Sequence, residues 1–238
     1  SRRQCPNCGA PAGIVIDKKL FVTELRRCGR CALQYRTPTD SPKRAARYYQ
    51  RAYRQGFTTD LPDSAQLDRW RTSGFSGTEK DAAPLLALLR TLSVRPGARI
   101  LDYGASWGYT VWQLRAAGYR ASGYEPSRAR AEFGQSRLGV ELVSNLDELA
   151  GTWDVMLAHH VLEHVRTPDS ALRAMSERLS AEGVLIVVTP NGACAFRRAE
   201  PARFHASWGM DHPNAIDPAY LAQFFAEGTW LMDSAPIT

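Results

Sequence analysis

Leu101-Asp102-Tyr103-Gly104-Ala105-Ser106-Trp107-Gly108-Tyr109 is the stretch on which the fold of this chain turns. An apolar run ends in an acid, passes through small residues and enters a helical pattern. Small residues let the backbone turn tightly and come close to a ligand, and the helix that follows offers N–H groups at its start. About twenty residues on, Gly123-Tyr124-Glu125-Pro126 ends a second strand. A carboxylate there is placed to accept hydrogen bonds from two ribose hydroxyls. A nicotinamide dinucleotide calls for the fuller G-x-G-x-x-G turn beneath its pyrophosphate. That turn is absent, and Asp102 suits a cationic ligand better than a diphosphate.

Outward from this turn, strand and helix alternate. Strands are expected at 99–103, 119–124, 140–143, 153–158 and 183–189, and helices at 111–117, 127–138 and 170–179. The alternation predicts an α/β fold, a doubly wound and mostly parallel sheet with helices on both faces. Upstream, Leu85, Leu88, Leu89 and Leu92 recur at helical spacing and predict an amphipathic helix over 78–92. Pro42 opens a predicted helix over 43–53 carrying Tyr48, Tyr49 and Tyr53, and a short helix is expected around Trp70. Residues 191–217 are long for a connection and hold Phe204, Trp208, Asp211 and His212, a mixture that fits a substrate lid. A helix over 218–226 and a strand over 229–233 are expected to follow.

Four of the five cysteines form two knuckles, Cys5-Pro-Asn-Cys8 and Cys28-Gly-Arg-Cys31. Two intervening residues let both sulfurs of a knuckle face one ion, and two knuckles complete a closed tetrahedral shell around a structural Zn2+. Between them, residues 13–17 and 20–25 read as a hairpin with its turn at Asp17-Lys18-Lys19, the organisation of a small N-terminal zinc ribbon. Disulfides suit a secreted chain, which nothing here indicates, and a thioredoxin-type redox motif would not come doubled. Cys194 stands outside the set.

Residues 98–190 resemble a class I S-adenosylmethionine-dependent methyltransferase. The resemblance rests on ILDYGASWG, GYEPS, WDVMLAHHVLEHV and LSAEGVLIVVTPN, in that order and spacing. It implies a Rossmann-like fold that binds S-adenosyl-L-methionine. Asp102, Gly104, Ser106 and Gly108 would surround its methionine part, with Glu125 and Pro126 at the ribose, Asn145 and Leu146 near adenine, and His159 completing the contacts. The family commonly has D-x-G-x-G-x-G, and Ser106 replaces the middle glycine. The family's sheet usually ends with one more strand.

All five histidines follow the fourth or fifth strand of the fold. Methyl transfer to a hydroxyl or carbon acid needs a base, and histidine suits that work. His160 and His212 are the candidates for base or substrate contact, while Glu163 and His164 form the E-H pair that commonly lies beside the family's active site. His205 is expected in a mobile loop. His160, Glu163 and His164 also fit the H-x-x-E-H metalloprotease pattern. That reading is set aside because the segment matches the methyltransferase motif in register.

Charge divides unevenly. Residues 1–54 hold 13 Lys/Arg against 3 Asp/Glu, and the remainder 17 against 21. The basic lobe fits either a solvated face or a surface for RNA or phosphate-bearing small molecules. Three divisions are expected: a ribbon over 1–38, a helical substrate-side segment over 39–96, and the cofactor-binding domain over 97–238. A ribbon ahead of this domain resembles the N-terminal part of nucleotide-sugar C-methyltransferases. It implies a small-molecule acceptor, one that can bear a nucleotide or phosphate: a sugar, a polysaccharide precursor or a natural product. RNA methylation is the alternative, although Thr189-Pro190-Asn191 lacks the N-P-P-[YF] tetrad of amino-group methylation on bases. A non-catalytic binding scaffold is the third reading. No apolar run reaches the length of a membrane span and the start lacks a signal-peptide pattern, so a cytoplasmic location is expected. The oligomeric state is not legible.

Overall fold

A computed structural model describes residues 2–41 and 60–225, which form two compact units. The expected helix over 43–53, with its three tyrosines, and the expected strand over 229–233 lie outside the described residues.

One unit draws on residues 1–42, 160–173 and 188–238. Its N-terminal part holds β1 (Ile14–Lys19), β2 (Thr23–Arg27) and β3 (Gln34–Thr37), paired antiparallel. The hairpin turn falls at residues 20–22 rather than at Asp17-Lys18-Lys19, with Leu20 and Phe21 in left-handed backbone. Tertiary contacts explain the shift. Asp17 accepts from Trp208 Nε1 at 2.8 Å, and Lys19 Nζ donates to the Trp208 carbonyl, so the polar residues that read as a turn stay in the strand.

The other unit draws on residues 43–159 and 174–187. It opens with α1 (Ser64–Thr72), capped by the Asp63 side chain, and α2 (Ala83–Thr91). The helix expected from residue 78 starts at Ala83 instead. Pro84 favours the first turn of a helix, and the Ala82 N–H goes to Gln113 Oε1 at 2.8 Å. Then follow β4 (Arg99–Tyr103), α3 (Tyr109–Ala116), β5 (Arg120–Tyr124), α4 (Arg128–Phe133), β6 (Leu142–Val143) and β7 (Trp153–His159). The predicted helix over 127–138 is thus α4 with one π turn, Gly134–Leu138, added. In chain order α5 (Pro168–Ser176), whose residues 168–173 belong to the first unit, and β8 (Leu179–Val188) complete the alternation. That strand begins four residues earlier than the apolar run, because Ala181-Glu182-Gly183, a turn by composition, is carried within the sheet.

The sheet runs in the order β6-β5-β4-β7-β8, with β4 parallel to both β5 and β7 and β5 parallel to β6. This is the expected Rossmann-like arrangement. Chain order reverses beside β4, so the crevice beyond the carboxyl ends of β4 and β7 is where such sheets bind ligands. Ile100, Leu101, Val155 and Leu157 are buried in the sheet, and Val111 and Leu114 of α3 are buried with them. Near-continuous apolar character is what a strand covered on both faces requires.

In the first unit, the segment after β8 forms α6 (Cys194–Ala199), α7 (Pro201–Ser207), β9 (Asn214–Ala215) and α8 (Pro218–Phe224). β9 pairs antiparallel with β3 and extends the ribbon to a four-stranded sheet, β1-β2-β3-β9. His205 sits in α7, not in a mobile loop, with Nδ1 2.9 Å from Asp17 Oδ2. No helix among the described residues is long and apolar enough to cross a membrane.

Candidate active site

The turn after β4 is held from both ends. Gly104 and Ala105 donate their N–H groups to the Tyr124 carbonyl at 2.8 and 3.0 Å. Gly104, Ser106 and Gly108 all have positive φ, at 89°, 51° and 82°. Ser106 therefore stands where the backbone itself favours glycine, and a left-handed serine costs about 1–2 kcal/mol. Gly108 is required twice over, since a Cβ there would lie 2.8 Å from Val140 Cγ2. Trp107 is fully buried and stacks on Trp70 at 6.1 Å between centroids, with Phe75 and Phe133 also against it. This aromatic anchor was not singled out in the sequence, where Trp70 and Phe75 stand far upstream of Trp107 and no local pattern joins them.

Glu125, 2% exposed, ties the turn to β5. Its Oε2 accepts from the Ser106 N–H at 2.9 Å and its Oε1 from the Ser127 N–H at 2.8 Å. Burial pushes its carboxyl up to about 6, against the pull of the Ser127 N–H, the Arg130 charge and the Ser106 N–H. Asp102, buried in β4, is pushed up to about 7 by desolvation and by the charge of Glu125. Asn145 spends its side-chain oxygen on the Asp147 N–H at 3.1 Å, which starts the short turn Leu146–Glu148. Asp102, Gly104, Ser106, Gly108 and Glu125 are thus gathered at one strand end, with Pro126 next in the chain. His159 is the last residue of β7.

The remaining candidates gather in the other unit. His160, at φ 54°, donates its N–H to the Val188 carbonyl at 2.8 Å. Its Nδ1 lies 2.9 Å from Glu163 Oε1, and Thr189 Oγ1 donates to Glu163 Oε2 at 3.1 Å. Glu163 is 1% exposed. Burial raises its carboxyl, but the His160 hydrogen bond and the His164 and His160 charges outweigh burial and hold it below the ordinary value. His164 is lowered, foremost by burial and also by the neighbouring His212 and His160, against Glu163 and Asp211. The His164 and His212 rings meet edge to face at 4.6 Å. Sequence reasoning missed Thr189 as a partner of the carboxylate. It also missed Asn214, whose Nδ2 donates to the Val165 carbonyl at 2.6 Å and the Leu162 carbonyl at 3.3 Å.

Cys5, Cys8, Cys28 and Cys31 converge, with Cys5 Sγ 3.7 Å from Cys31 Sγ and Cys8 Sγ 3.6 Å from Cys28 Sγ. Those separations exclude S–S bonds of about 2.05 Å. They match the edge, about 3.8 Å, of a tetrahedron with sulfurs about 2.3 Å from a central ion. The hydrogen bond to Cys31 and burial push the Cys5 thiol up, while the Cys5 bond draws Cys31 down to about 5. Backbone N–H groups of Arg30 and Cys31 point at Cys28 Sγ, at 3.3 and 3.5 Å.

A parallel sheet of this order, ending in a glycine turn clasped to a buried glutamate, defines an α/β enzyme that binds a nucleoside cofactor. Residues 77–228 match the family described as methyltransferase domain, and the chain belongs to that family. It is an S-adenosylmethionine-dependent methyltransferase. No curated protein matches the chain. Among solved structures, magnesium protoporphyrin IX methyltransferase from Synechocystis PCC 6803 with bound SAH is similar at 16% identity and TM-score 0.50, over 79% of this chain and 88% of that one. An amino pentose methyltransferase from Micromonospora echinaspora is 26% identical over 55% of this chain and 58% of its own, with TM-score 0.41. Coclaurine N-methyltransferase is 19% identical with TM-score 0.42, and the match covers 62% of this chain and about half, 52%, of that one.

Proposed function

We propose that the enzyme methylates a small molecule, a sugar, polysaccharide precursor or natural product, with His160 as the base. The observation that carries this reading is the buried Glu163 carboxylate holding His160 Nδ1 at 2.9 Å. A ring oriented through Nδ1 by a buried carboxylate is the arrangement of a base with its positioning group. S-adenosylmethionine, when bound, supplies a methyl group on a sulfonium. His160 Nε2 would take the proton of an acceptor hydroxyl, Glu163 would stabilise the imidazolium so formed, and His212 would lie beside the acceptor. His160 follows directly on His159, the last residue of β7.

The residues at the end of β4 fit the cofactor. Each Glu125 oxygen accepts one N–H and has lone-pair capacity left for a ribose hydroxyl, and two buried carboxyl groups suit a cationic ligand. Asp102, Gly104, Ser106 and Gly108 would line its methionine part, with Pro126, Asn145, Leu146 and His159 at its edges. Cys5, Cys8, Cys28 and Cys31 would hold a structural zinc ion.

Calorimetry with S-adenosylmethionine, followed by methyl-transfer assays on nucleotide sugars and on total RNA, tests this reading. Transfer to a nucleotide sugar, abolished in His160→Ala, is the expected result. Transfer to RNA alone would overturn it.

A further inference from the structure

The Glu163 cluster contains more than a base and its support. Glu163, His164 and His212 each offer one ligand atom, and these atoms all lie within 4.8 Å of one another. His164 Nδ1 is 2.7 Å from the Asp211 carbonyl and His212 Nδ1 is 2.8 Å from the Ser207 carbonyl. A carbonyl only accepts, so Nδ1 is the protonated nitrogen of each neutral ring and Nε2 carries the lone pair. Metal-bound histidines are oriented by just this bond from the other ring nitrogen to a backbone carbonyl.

One buried carboxylate and two imidazoles thus share one small volume. The frame that holds them is built, not incidental. Asn214, 2% exposed, fixes the Leu162 and Val165 carbonyls through its side chain and donates its own N–H to the Glu163 carbonyl at 3.2 Å. Thr189 and His160 fix the Glu163 oxygens. Small rotations would bring the three ligand atoms to the separations, about 3.0–3.4 Å, of N and O ligands about 2.1 Å from one ion.

We propose that Glu163, His164 and His212 bind a divalent first-row transition cation, a site separate from the four cysteines. Two imidazoles and one carboxylate suit such an ion and leave coordination positions open for water or a hydroxyl oxygen. The ligand set differs from the H-x-x-E-H protease pattern. His160 is tied to the carboxylate instead of joining the shell, and His212 comes from the segment after β8.

The test is zinc content by mass spectrometry of the full chain and of its His212→Ala and Glu163→Gln variants, each equilibrated with a zinc buffer. The wild type is expected to hold one equivalent more than either variant, whatever the cysteines bind. Equal zinc in the wild type and His212→Ala overturns the site. Because Glu163 is buried and its variant can misfold, Mn2+ bound to the wild type supplies an independent measurement. Its pulsed electron paramagnetic resonance should show coupling to directly bound imidazole nitrogen, and bound Mn2+ without that coupling also overturns the site. Neither readout depends on methyl transfer, so failure here and failure of the proposed activity are distinguishable.

Discussion

The backbone N–H of Ser106 meets the carboxylate of Glu125 at 2.9 Å, so the turn after β4 and the acid after β5 form one hydrogen-bonded unit. The serine is in left-handed backbone, a conformation that costs about 1–2 kcal/mol for a non-glycine residue. Ser106→Gly removes that cost but adds about 0.4–1 kcal/mol of unfolded-chain entropy. A net stabilisation of about 0.5 kcal/mol is expected, read as a shifted urea midpoint. Ser106→Val, β-branched at positive φ, should destabilise the protein and weaken cofactor binding together.

Glu125→Ala should weaken S-adenosylmethionine binding by more than about tenfold, the scale of a lost pair of charge-assisted hydrogen bonds. Calorimetry measures it, and unchanged affinity would refute the ribose placement.

Asp102 and Glu125 should make the ligand-free protein less stable as pH rises. Their carboxyls stand at about 7 and about 6 in the folded protein, above ordinary values of 3.8 and 4.5. Between those limits the folded state holds protons that the unfolded chain has released, so the stability they lend is full below about pH 4 and is lost through pH 6–7. Asp102→Asn removes its share. Relative to wild type, the variant should gain on the order of 2 kcal/mol between pH 5 and pH 8, given about 1.4 kcal/mol per pKa unit. Urea titrations at the two pH values decide, and equal differences at both would refute a protonated Asp102.

Cys28→Ser should release the metal of the knuckles and loosen the β1-β2-β3-β9 sheet. Metal analysis with hydrogen exchange at β3 and β9 checks this, and full retention of metal in the variant would count against the four-cysteine site.

Asn214→Ala should destabilise the first unit by about 1–3 kcal/mol, the scale for buried groups left without a partner. The Leu162 and Val165 carbonyls lose their donor. Hydrogen exchange at 161–165 should rise with it, and protection equal to wild type would show that the loop is held by other contacts.

The parallel sheet, the glycine turn after β4 and the two cysteine knuckles are legible in the chain because each is written locally. Apolar runs make buried strands, Gly104 and Gly108 permit the turn, and two-residue spacing aims paired sulfurs at one point. The misplaced boundaries show the limit of local signals: polar Asp17 stays in a strand because Trp208 and His205 hold it there, and the helix expected from residue 78 starts at Ala83, with Pro84 in its first turn. Only the tertiary structure brought His212 against Glu163 and His164, paired β9 with β3, and sent Asn214 to the Leu162 and Val165 carbonyls. Those pairings join segments far apart in the chain. Their partners are chosen by shape and by the need of every buried polar group for a hydrogen bond, and neither is inscribed in a local pattern.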